Sequence, residues 1–261
     1  MRRKAVAVVR LIRLYTALVA GVVAYALAAH RGPDAMLAAA ALALLLAGAF
    51  AFNDVVDREV DAVNVPTRPL PSGALSVRSA LAIAILCDAA ALVAAAWTRS
   101  GRVVALTAAM VALLFAYSLA LERVLLVKNL VMALIGASVP VFGNVAGTVP
   151  GEAQRLAVTI GLFILQKEIV ADAKDRDGDA RSGRRTFPVL FGVRWTLTLV
   201  VALNVAFLAS LGSRDFALIA VGVTNVIGAI LAAIRGERFL RAFLVLQRAF
   251  LLAGVLFAWR A

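Results

Sequence analysis

Long apolar stretches alternate with short polar segments along the whole chain. Nine of the stretches are about 20 residues long, which is the length that an α-helix needs to cross a hydrocarbon core of about 30 Å. Because backbone polar groups have no water to bond in lipid, such segments are expected to be helices and not open strands. The pattern predicts an all-α membrane protein, and no polar stretch is long enough for a separate soluble domain. We therefore expect residues 1–261 to form one intramembrane domain. The nine predicted spans cover residues 10–29, 35–53, 78–97, 103–121, 124–146, 154–172, 189–211, 215–234 and 239–259.

The composition supports a membrane-embedded chain. Hydrophobic residues make up 63% of it and the mean hydropathy is +0.95, whereas an ordinary soluble domain has about 45–50% apolar residues. The fifth stretch is the least regular, since it contains Lys128, Asn129, Pro140 and Asn144. Polar residues inside a span face the interior of the protein, so this helix is expected to line a polar site.

Basic residues are distributed unequally between the two ends of the predicted spans. The N-terminus and the loops after even-numbered spans carry 20 Lys and Arg residues, whereas the opposite side carries 6. Because loops rich in Lys and Arg stay in the cytoplasm, that side is predicted to be cytoplasmic in a multi-pass cell-membrane protein. The net charge of +12 follows from this distribution and from attraction to anionic lipid, so no nucleic-acid partner is expected.

One acidic pattern occurs twice, at the cytoplasmic ends of the second and sixth spans. The copies begin at Asp54 and Asp172, 118 residues apart, and each has acids at positions i, i+3 and i+7. On a helix these positions share one face, so each copy can aim three carboxylates at one point, where divalent cations would neutralise their repulsion. Oxygen ligands of this kind suit Mg²⁺, which commonly binds carboxylates together with substrate phosphates. We interpret the copies as two halves of one Mg²⁺–diphosphate site. The predicted metal ligands are Asn53, Asp54, Asp57, Asp61, Asp172, Asp175 and Asp179.

The sequence around both copies resembles the signatures of a known family. The residues that carry the resemblance, beyond the acids themselves, are Asn64-x-Pro66-x-Arg68-Pro69-x-Pro71-x-Gly73, Gly183-x-x-Thr186-x-Pro188 with Gly192, and Tyr117-Ser118 with Arg123 and Asn129. Together they resemble the UbiA superfamily of intramembrane prenyltransferases. The resemblance implies that nine transmembrane helices form a bundle around a central cavity. It also implies that a prenyl diphosphate binds with its head at the two acidic motifs through Mg²⁺ and its tail in the cavity.

The implied chemistry breaks the C1–O bond of the prenyl diphosphate and forms an allylic cation, which an acceptor then attacks. Basic residues are expected to complete the diphosphate site, and the candidates are Arg68, Arg123, Lys128 and Lys174. The resemblance also places Tyr117 near the reactive carbon, where its ring would stabilise the cation. The alternative for Tyr117 is a place in the aromatic belt at the membrane interface.

The acceptor is less constrained than the donor. The stretch from Lys167 to Asp179 is most similar to the branch that contains archaeal digeranylgeranylglyceryl phosphate synthase, which implies geranylgeranyl transfer to geranylgeranylglyceryl phosphate in archaeal ether-lipid synthesis. The phosphate of this lipid-soluble acceptor would need its own cations, and the candidates are Arg10, Arg13 and Lys167. The alternative is an aromatic-acid or quinone-precursor prenyltransferase of the 4-hydroxybenzoate type, and a membrane transporter is a remote alternative. The sequence determines neither the prenyl chain length nor the oligomeric state.

Overall fold

The computed structural model describes residues 2–120, 125–145, 147–181, 183–211 and 216–235, together with Phe239, Phe243 and Val245. All regular elements in these ranges are α-helices, as predicted. In chain order they are α1 (Arg2–Leu11), α2 (Leu14–Ala26), α3 (Pro33–Val56), α4 (Arg58–Asn64), α5 (Val77–Trp97), α6 (Gly101–Leu119), α7 (Val127–Asn144), α8 (Gly151–Arg181), α9 (Phe187–Ala209) and α10 (Phe216–Arg235). Eight predicted spans coincide with these helices, whereas the ninth, 239–259, lies almost wholly outside the described residues.

Several of the described helices have the length and composition of membrane spans. These are α3, α5, α6, α7 and α9, and a sixth span results if α1 and α2, which meet at a bend of 49°, are taken together. A polypeptide with this many apolar helices is a multi-pass membrane protein. The presence of nine membrane spans, and the side of the membrane on which each loop lies, stay predictions.

The chain forms two compact units. Unit 1 comprises residues 1–121 and 139–150, and unit 2 comprises residues 122–138 and 151–261. Helix α7 therefore contributes its first part to unit 2 and its last part to unit 1. Pro140 lies inside α7, next to this division.

Small residues bring α3 and α5 close together in unit 1. Ala51 of α3 packs with Ala80 and Ala84 of α5, and all three are fully buried. A Cβ atom at Gly48 would collide with the Asp88 carboxylate and would lie 3.1 Å from the carbonyl oxygen of Ala84, so only glycine fits there. Close packing through small residues is how helices associate in lipid, where burial of apolar surface gives little driving force. This packing holds the end of α3 that carries the first acidic motif.

An apolar core joins α8, α9 and α10 in unit 2. It contains Ile169 and Val170 of α8, Val200 of α9 and Ala229 of α10, each at most 2% exposed. Helix α8 continues without interruption to Arg181, so the second acidic motif lies on its last turns. The helix therefore extends nine residues beyond the predicted end of this span at residue 172.

Two glycines of the second signature set the path of the chain after α8. Gly183 has a φ of +73° just beyond the last residue of α8, and Gly192 has a φ of +81° within α9. Glycine adopts positive φ without the steric cost that a Cβ atom brings. The first terminates α8 in the manner of a left-handed cap, and the second puts a break in α9.

Candidate active site

A buried carboxylate, Asp54, is central to the first acidic cluster, which we define as Asn53, Asp54, Asp57 and Asp61 with Arg13 and Arg68. Asp54 lies in the last turn of α3 and is 3% exposed. Arg68, which follows α4, places Nη1 3.3 Å from Asp54 Oδ1 and also donates a hydrogen bond to Asp61. One guanidinium therefore links two buried carboxylates from different helices, and the structure brings Arg68 together with two of the predicted ligands.

The bend between α1 and α2 delivers a second guanidinium to Asp54. Arg13 at this bend has φ 44° and ψ 50°, a left-handed conformation that costs a residue with a Cβ atom about 1–2 kcal/mol. Its Nη2 lies 3.2 Å from Asp54 Oδ1, and its guanidinium carbon lies 4.6 Å from the centre of the Phe50 ring. Strained backbone of this kind persists where the surroundings hold it, commonly at functional sites. Arg13, which the sequence suggested for the acceptor, thus lies in the first acidic cluster.

The three carboxylates of the first copy do not share one continuous helical face. Helix α3 ends at Val56 and α4 begins at Arg58, so Asp57 is the junction between them. Asp57 accepts a hydrogen bond from the Asn53 amide. The spacing of i, i+3 and i+7 predicted convergence on the assumption of an unbroken helix, and the break at Asp57 removes that condition.

A buried carboxylate also lies at the centre of the second acidic cluster, which we define as Asp172, Asp175 and Asp179 with Lys128 and Asn129. Asp172 on α8 is 3% exposed. Lys128 Nζ lies 2.8 Å from its Oδ1, and Asn129 Nδ2 donates to its Oδ2 at 2.8 Å. Both donors come from the first turn of α7, where the helix dipole also favours negative charge. Asn129 was absent from the predicted ligands, although an amide at the start of an apolar helix was a usable signal.

The other two acids of the second cluster differ in burial. Asp179 is buried and Asp175 is exposed. Burial raises the pKa of the Asp179 carboxyl above its usual range and the negative charge of Asp172 raises it further, while Lys128 and Arg184 oppose the shift. A cation placed beside Asp179 would oppose this rise in the pKa of its carboxyl.

The remaining predicted lysines form pairs with their sequence neighbours. Lys174 Nζ lies 2.7 Å from Asp175 Oδ1, and Lys167 Nζ lies 2.5 Å from Glu168 Oε1. The Lys174 pair is largely exposed, and such pairs typically contribute about 0–1 kcal/mol. Lys174 can therefore exchange its partner for a ligand at little cost.

Tyr117 and Arg10 occupy contrasting positions in unit 1. Tyr117 on α6 is only 8% exposed, which disfavours the alternative of an aromatic belt at the membrane interface. Arg10 on α1 is exposed and lines an open cleft with Val6, Thr67 and Ser72. The predicted diphosphate ligand Arg123 lies outside the described residues.

The donor set of both clusters fits Mg²⁺. Among the residues that the structure describes, no group of three or more acidic, His or Cys side chains is close enough to hold a metal ion alone. Each cluster nevertheless offers two buried carboxylates, Asp54 with Asp61 and Asp172 with Asp179. Mg²⁺ typically takes one or two carboxylates and completes its six ligands with water and substrate phosphates. A Mg²⁺ ion held by two of these carboxylates would therefore need further oxygen ligands from water and from the phosphates of a substrate.

Solved structures with a similar fold cover nearly the whole chain. A structure from work on digeranylgeranylglyceryl phosphate synthase in membranes superposes with a TM-score of 0.81 at 21% identity, covering 99% of this chain and 98% of that one. A UbiA homolog from Archaeoglobus fulgidus bound to DMAPP and Mg²⁺ superposes with a TM-score of 0.65 at 17% identity, covering 97% and 99%. At these identities the likeness concerns the fold.

Sequence comparison finds relatives that are named as enzymes. A digeranylgeranylglyceryl phosphate synthase of Methanoculleus marisnigri is 33% identical over 198 residues, covering 73% of this chain and 70% of that protein. Residues 14–259 match the UbiA prenyltransferase family, a stretch that contains every member of the two acidic clusters except Arg13. The chain therefore belongs to the UbiA prenyltransferase family.

Proposed function

We propose that this prenyltransferase moves a geranylgeranyl group from its diphosphate to geranylgeranylglyceryl phosphate in the membrane, with Mg²⁺ as its metal. The observation that carries the diphosphate assignment is the same arrangement in both clusters. Asp54 and Asp172 are buried carboxylates, and each is bound by a basic side chain from another helix or segment. A site that alternates fixed negative and positive charge suits a ligand made of a metal ion and a diphosphate.

The charges in each cluster have distinct tasks in this proposal. The carboxylates hold the cation, and Arg68 and Lys128 turn from their carboxylate partners toward diphosphate oxygens. Charge grows on the diphosphate as the C1–O bond breaks, so fixed cations there stabilise the transition state more than the ground state. Mg²⁺ supplies further neutralisation of the leaving diphosphate. That both clusters serve one diphosphate stays a prediction from the repeated spacing.

The choice of Mg²⁺ has support beyond donor chemistry. The homolog of Archaeoglobus fulgidus was solved with DMAPP and Mg²⁺, a prenyl diphosphate and a metal of the proposed kind. The buried acids of this chain are hard oxygen donors, and His or Cys side chains do not contribute to either cluster. A soft metal such as Zn²⁺ prefers sulfur and nitrogen ligands, so the clusters favour Mg²⁺.

The acceptor rests on the sequence relatives. The Methanoculleus marisnigri protein is named for the synthesis of digeranylgeranylglyceryl phosphate, a product whose second chain reaches the glycerol oxygen as a prenyl group. In this reaction the glycerol hydroxyl oxygen attacks C1 of the geranylgeranyl diphosphate, the ether bond forms, and diphosphate and a proton leave. An apolar surrounding serves this chemistry, because water would quench the allylic cation.

Product analysis tests the proposal. The purified protein is incubated with geranylgeranyl diphosphate, Mg²⁺ and geranylgeranylglyceryl phosphate, and products are identified by mass spectrometry. We expect the doubly prenylated glyceryl phosphate, and we expect its formation to stop in excess EDTA and to resume when Mg²⁺ is restored. Asp54→Asn and Asp172→Asn should each reduce turnover at least ~100-fold.

Two outcomes would contradict parts of the proposal. Efficient prenylation of 4-hydroxybenzoate with no product from the glyceryl phosphate would move the acceptor to the aromatic class. Full turnover in excess EDTA would show that Mg²⁺ is not required, and it would refute the role of the acids as metal ligands. The exposed Glu59, next to the first cluster, provides the matched control, because Glu59→Gln should leave turnover unchanged.

The membrane orientation is part of the same proposal. Nine spans with a cytoplasmic N-terminus place both acidic clusters on the cytoplasmic side, where a water-soluble diphosphate head would enter. The support is the excess of Lys and Arg on that side of the predicted spans.

A further inference from the structure

Three fully buried amide side chains lie at one level of unit 2. They are Gln166 of α8, Asn204 of α9 and Asn225 of α10, and each is 0% exposed. No acid or base of the active site is among them. An amide buried in an apolar interior is costly unless its polar atoms are bonded, so three of them on consecutive helices require an explanation.

The register of α8 against α9 places Gln166 opposite Asn204. The ring centres of Phe163 and Phe207 lie 6.1 Å apart, and the Thr159 and Ser210 hydroxyls lie 2.9 Å apart. In both pairs the α8 residue number rises as the α9 number falls, so the helices are antiparallel. Advancing three residues from Phe163 reaches Gln166, and going back three from Phe207 reaches Asn204. The two amides therefore share one level.

The register of α9 against α10 adds the third amide. A Cβ atom at Gly222 would lie 3.1 Å from the Phe207 ring, so Gly222 of α10 faces Phe207 of α9. Val200 and Ala229 belong to the same core cluster, which agrees with an antiparallel arrangement of these two helices. Going back three residues from Phe207 reaches Asn204, and advancing three from Gly222 reaches Asn225.

Most of the polar atoms of these amides have no protein partner. Seven buried side-chain polar atoms are unpaired in the described part of the chain, and five belong to this group: both polar atoms of Gln166, both of Asn225 and Oδ1 of Asn204. Asn204 Nδ2 donates to the carbonyl oxygen of Val200. The three amides therefore make no hydrogen bonds to one another. Their five unpaired polar atoms lie at the same level of α8, α9 and α10.

We propose that Gln166, Asn204 and Asn225 form an internal binding site for ordered water between α8, α9 and α10. A buried water molecule typically makes about three hydrogen bonds, so five unpaired atoms suit about two molecules. Amides both donate and accept, as water does, and the group carries no charge that would call for an ion. The zero exposure of all three side chains leaves no accessible space beside them for a larger ligand.

The water site separates two apolar layers of the unit. Ile169, Val170 and Val200 belong to the core cluster on the side of Asp172, and Phe163 and Phe207 belong to the cluster on the other side. A polar layer between apolar ones stabilises only the register in which its groups meet, as single buried amides do in coiled coils. The bound water therefore links three helices at one register.

Unfolding measurements on the full-length protein in detergent test the site. The variants are Gln166→Met, Asn204→Leu and Asn225→Leu, alone and in pairs, which replace amides by apolar groups of similar size. Each single variant should lower Tm by roughly 2–10 °C, because the water and the other amides lose a partner. The second substitution of a pair should cost clearly less than it does alone, since the shared water is already lost. Additive shifts in all pairs would overturn a shared site.

Asn144 supplies the matched control. It is a buried amide whose atoms are satisfied within the protein, since Nδ2 donates to Pro140 and Leu27 and Oδ1 accepts from Ala29. Asn144→Leu should therefore be additive with Asn204→Leu. If a variant fails to fold, an experimental structure of the unmodified protein at about 2 Å decides. Water density bonded to at least two of the three amides supports the site, and direct amide–amide bonds or a dry contact overturn it.

Discussion

Lys128 Nζ lies 2.8 Å from Asp172 Oδ1, although the two residues are 44 positions apart in the chain. The lysine begins the least regular of the predicted spans, and the aspartate begins the second acidic motif. Their contact brings the polar start of α7 and the second acidic motif together in one charged cluster.

Removal of this lysine should weaken the binding of the prenyl diphosphate. A charge-assisted hydrogen bond contributes about 1.5–3 kcal/mol, so Lys128→Met should raise the KM for the diphosphate roughly 10–150-fold and leave the KM for the acceptor nearly unchanged. Steady-state kinetics with each substrate varied in turn gives both values. The matched control is Arg176→Met. Arg176 lies on α8, as Asp172 does, but its side chain is exposed and its Nη1 is 3.9 Å from the exposed Asp177 Oδ1. Equal effects of the two variants would refute the assignment of Lys128.

The effect of the Arg13 guanidinium can be distinguished from the effect of its strained backbone by comparison with a second arginine of positive φ. Arg13→Gly removes the guanidinium near Asp54 and relieves the positive φ, so we expect Tm to change by only a few degrees while turnover falls about 10-fold or more. Arg99 has a φ of 53° and an exposed side chain. Arg99→Gly should therefore match the first variant in thermal unfolding but retain full turnover. A larger rise in the acceptor KM than in the diphosphate KM for Arg13→Gly would instead support the acceptor role suggested by the sequence.

The close approach of α3 and α5 predicts a strong effect of one added methyl group. Gly48→Ala would drive a Cβ atom into the Asp88 carboxylate, and overpacking of this kind typically costs about 1–3 kcal/mol. Thermal unfolding in detergent should show the loss, and Asp88→Ala should restore part of it in the double variant because the carboxylate is gone. Gly101→Ala is the control, since a Cβ atom there meets nothing within 4 Å. An unchanged Tm for Gly48→Ala would show that the helices separate more easily than their packing indicates.

The proposed orientation can be measured by cysteine labelling. Cys87 is the single cysteine of the chain, so Cys87→Ala provides a background without thiols. Ser72→Cys and Arg181→Cys, both at exposed positions near the acidic clusters, should react with a membrane-impermeant maleimide only from the cytoplasmic side. Glu152→Cys, at the other end of α8, should react only from the outside. Labelling of the first two from opposite sides would refute the nine-span order and the shared site together.

Local composition was enough to predict most of the helices. Apolar runs of about 20 residues have one solution in lipid, because each backbone polar group must be bonded within its own segment. For this reason eight predicted spans coincide with described helices, namely α2, α3 and α5 to α10. The repeated acids and the glycines at positions 183 and 192 were equally visible, since each depends on residue type and spacing alone.

The tertiary structure decided how these residues meet. The i, i+3, i+7 spacing assumes an unbroken helix, and only the tertiary structure shows that α3 ends at Val56 while α8 continues to Arg181. Arg13 reaches Asp54 across 41 positions through a left-handed bend, and Asn129 reaches Asp172 across 43. The level shared by Gln166, Asn204 and Asn225 depends on the register of three helices. Sequence determines what each segment can bury and which charges it carries, whereas partners distant in the chain depend on helix ends, bends and packing offsets that no local pattern encodes.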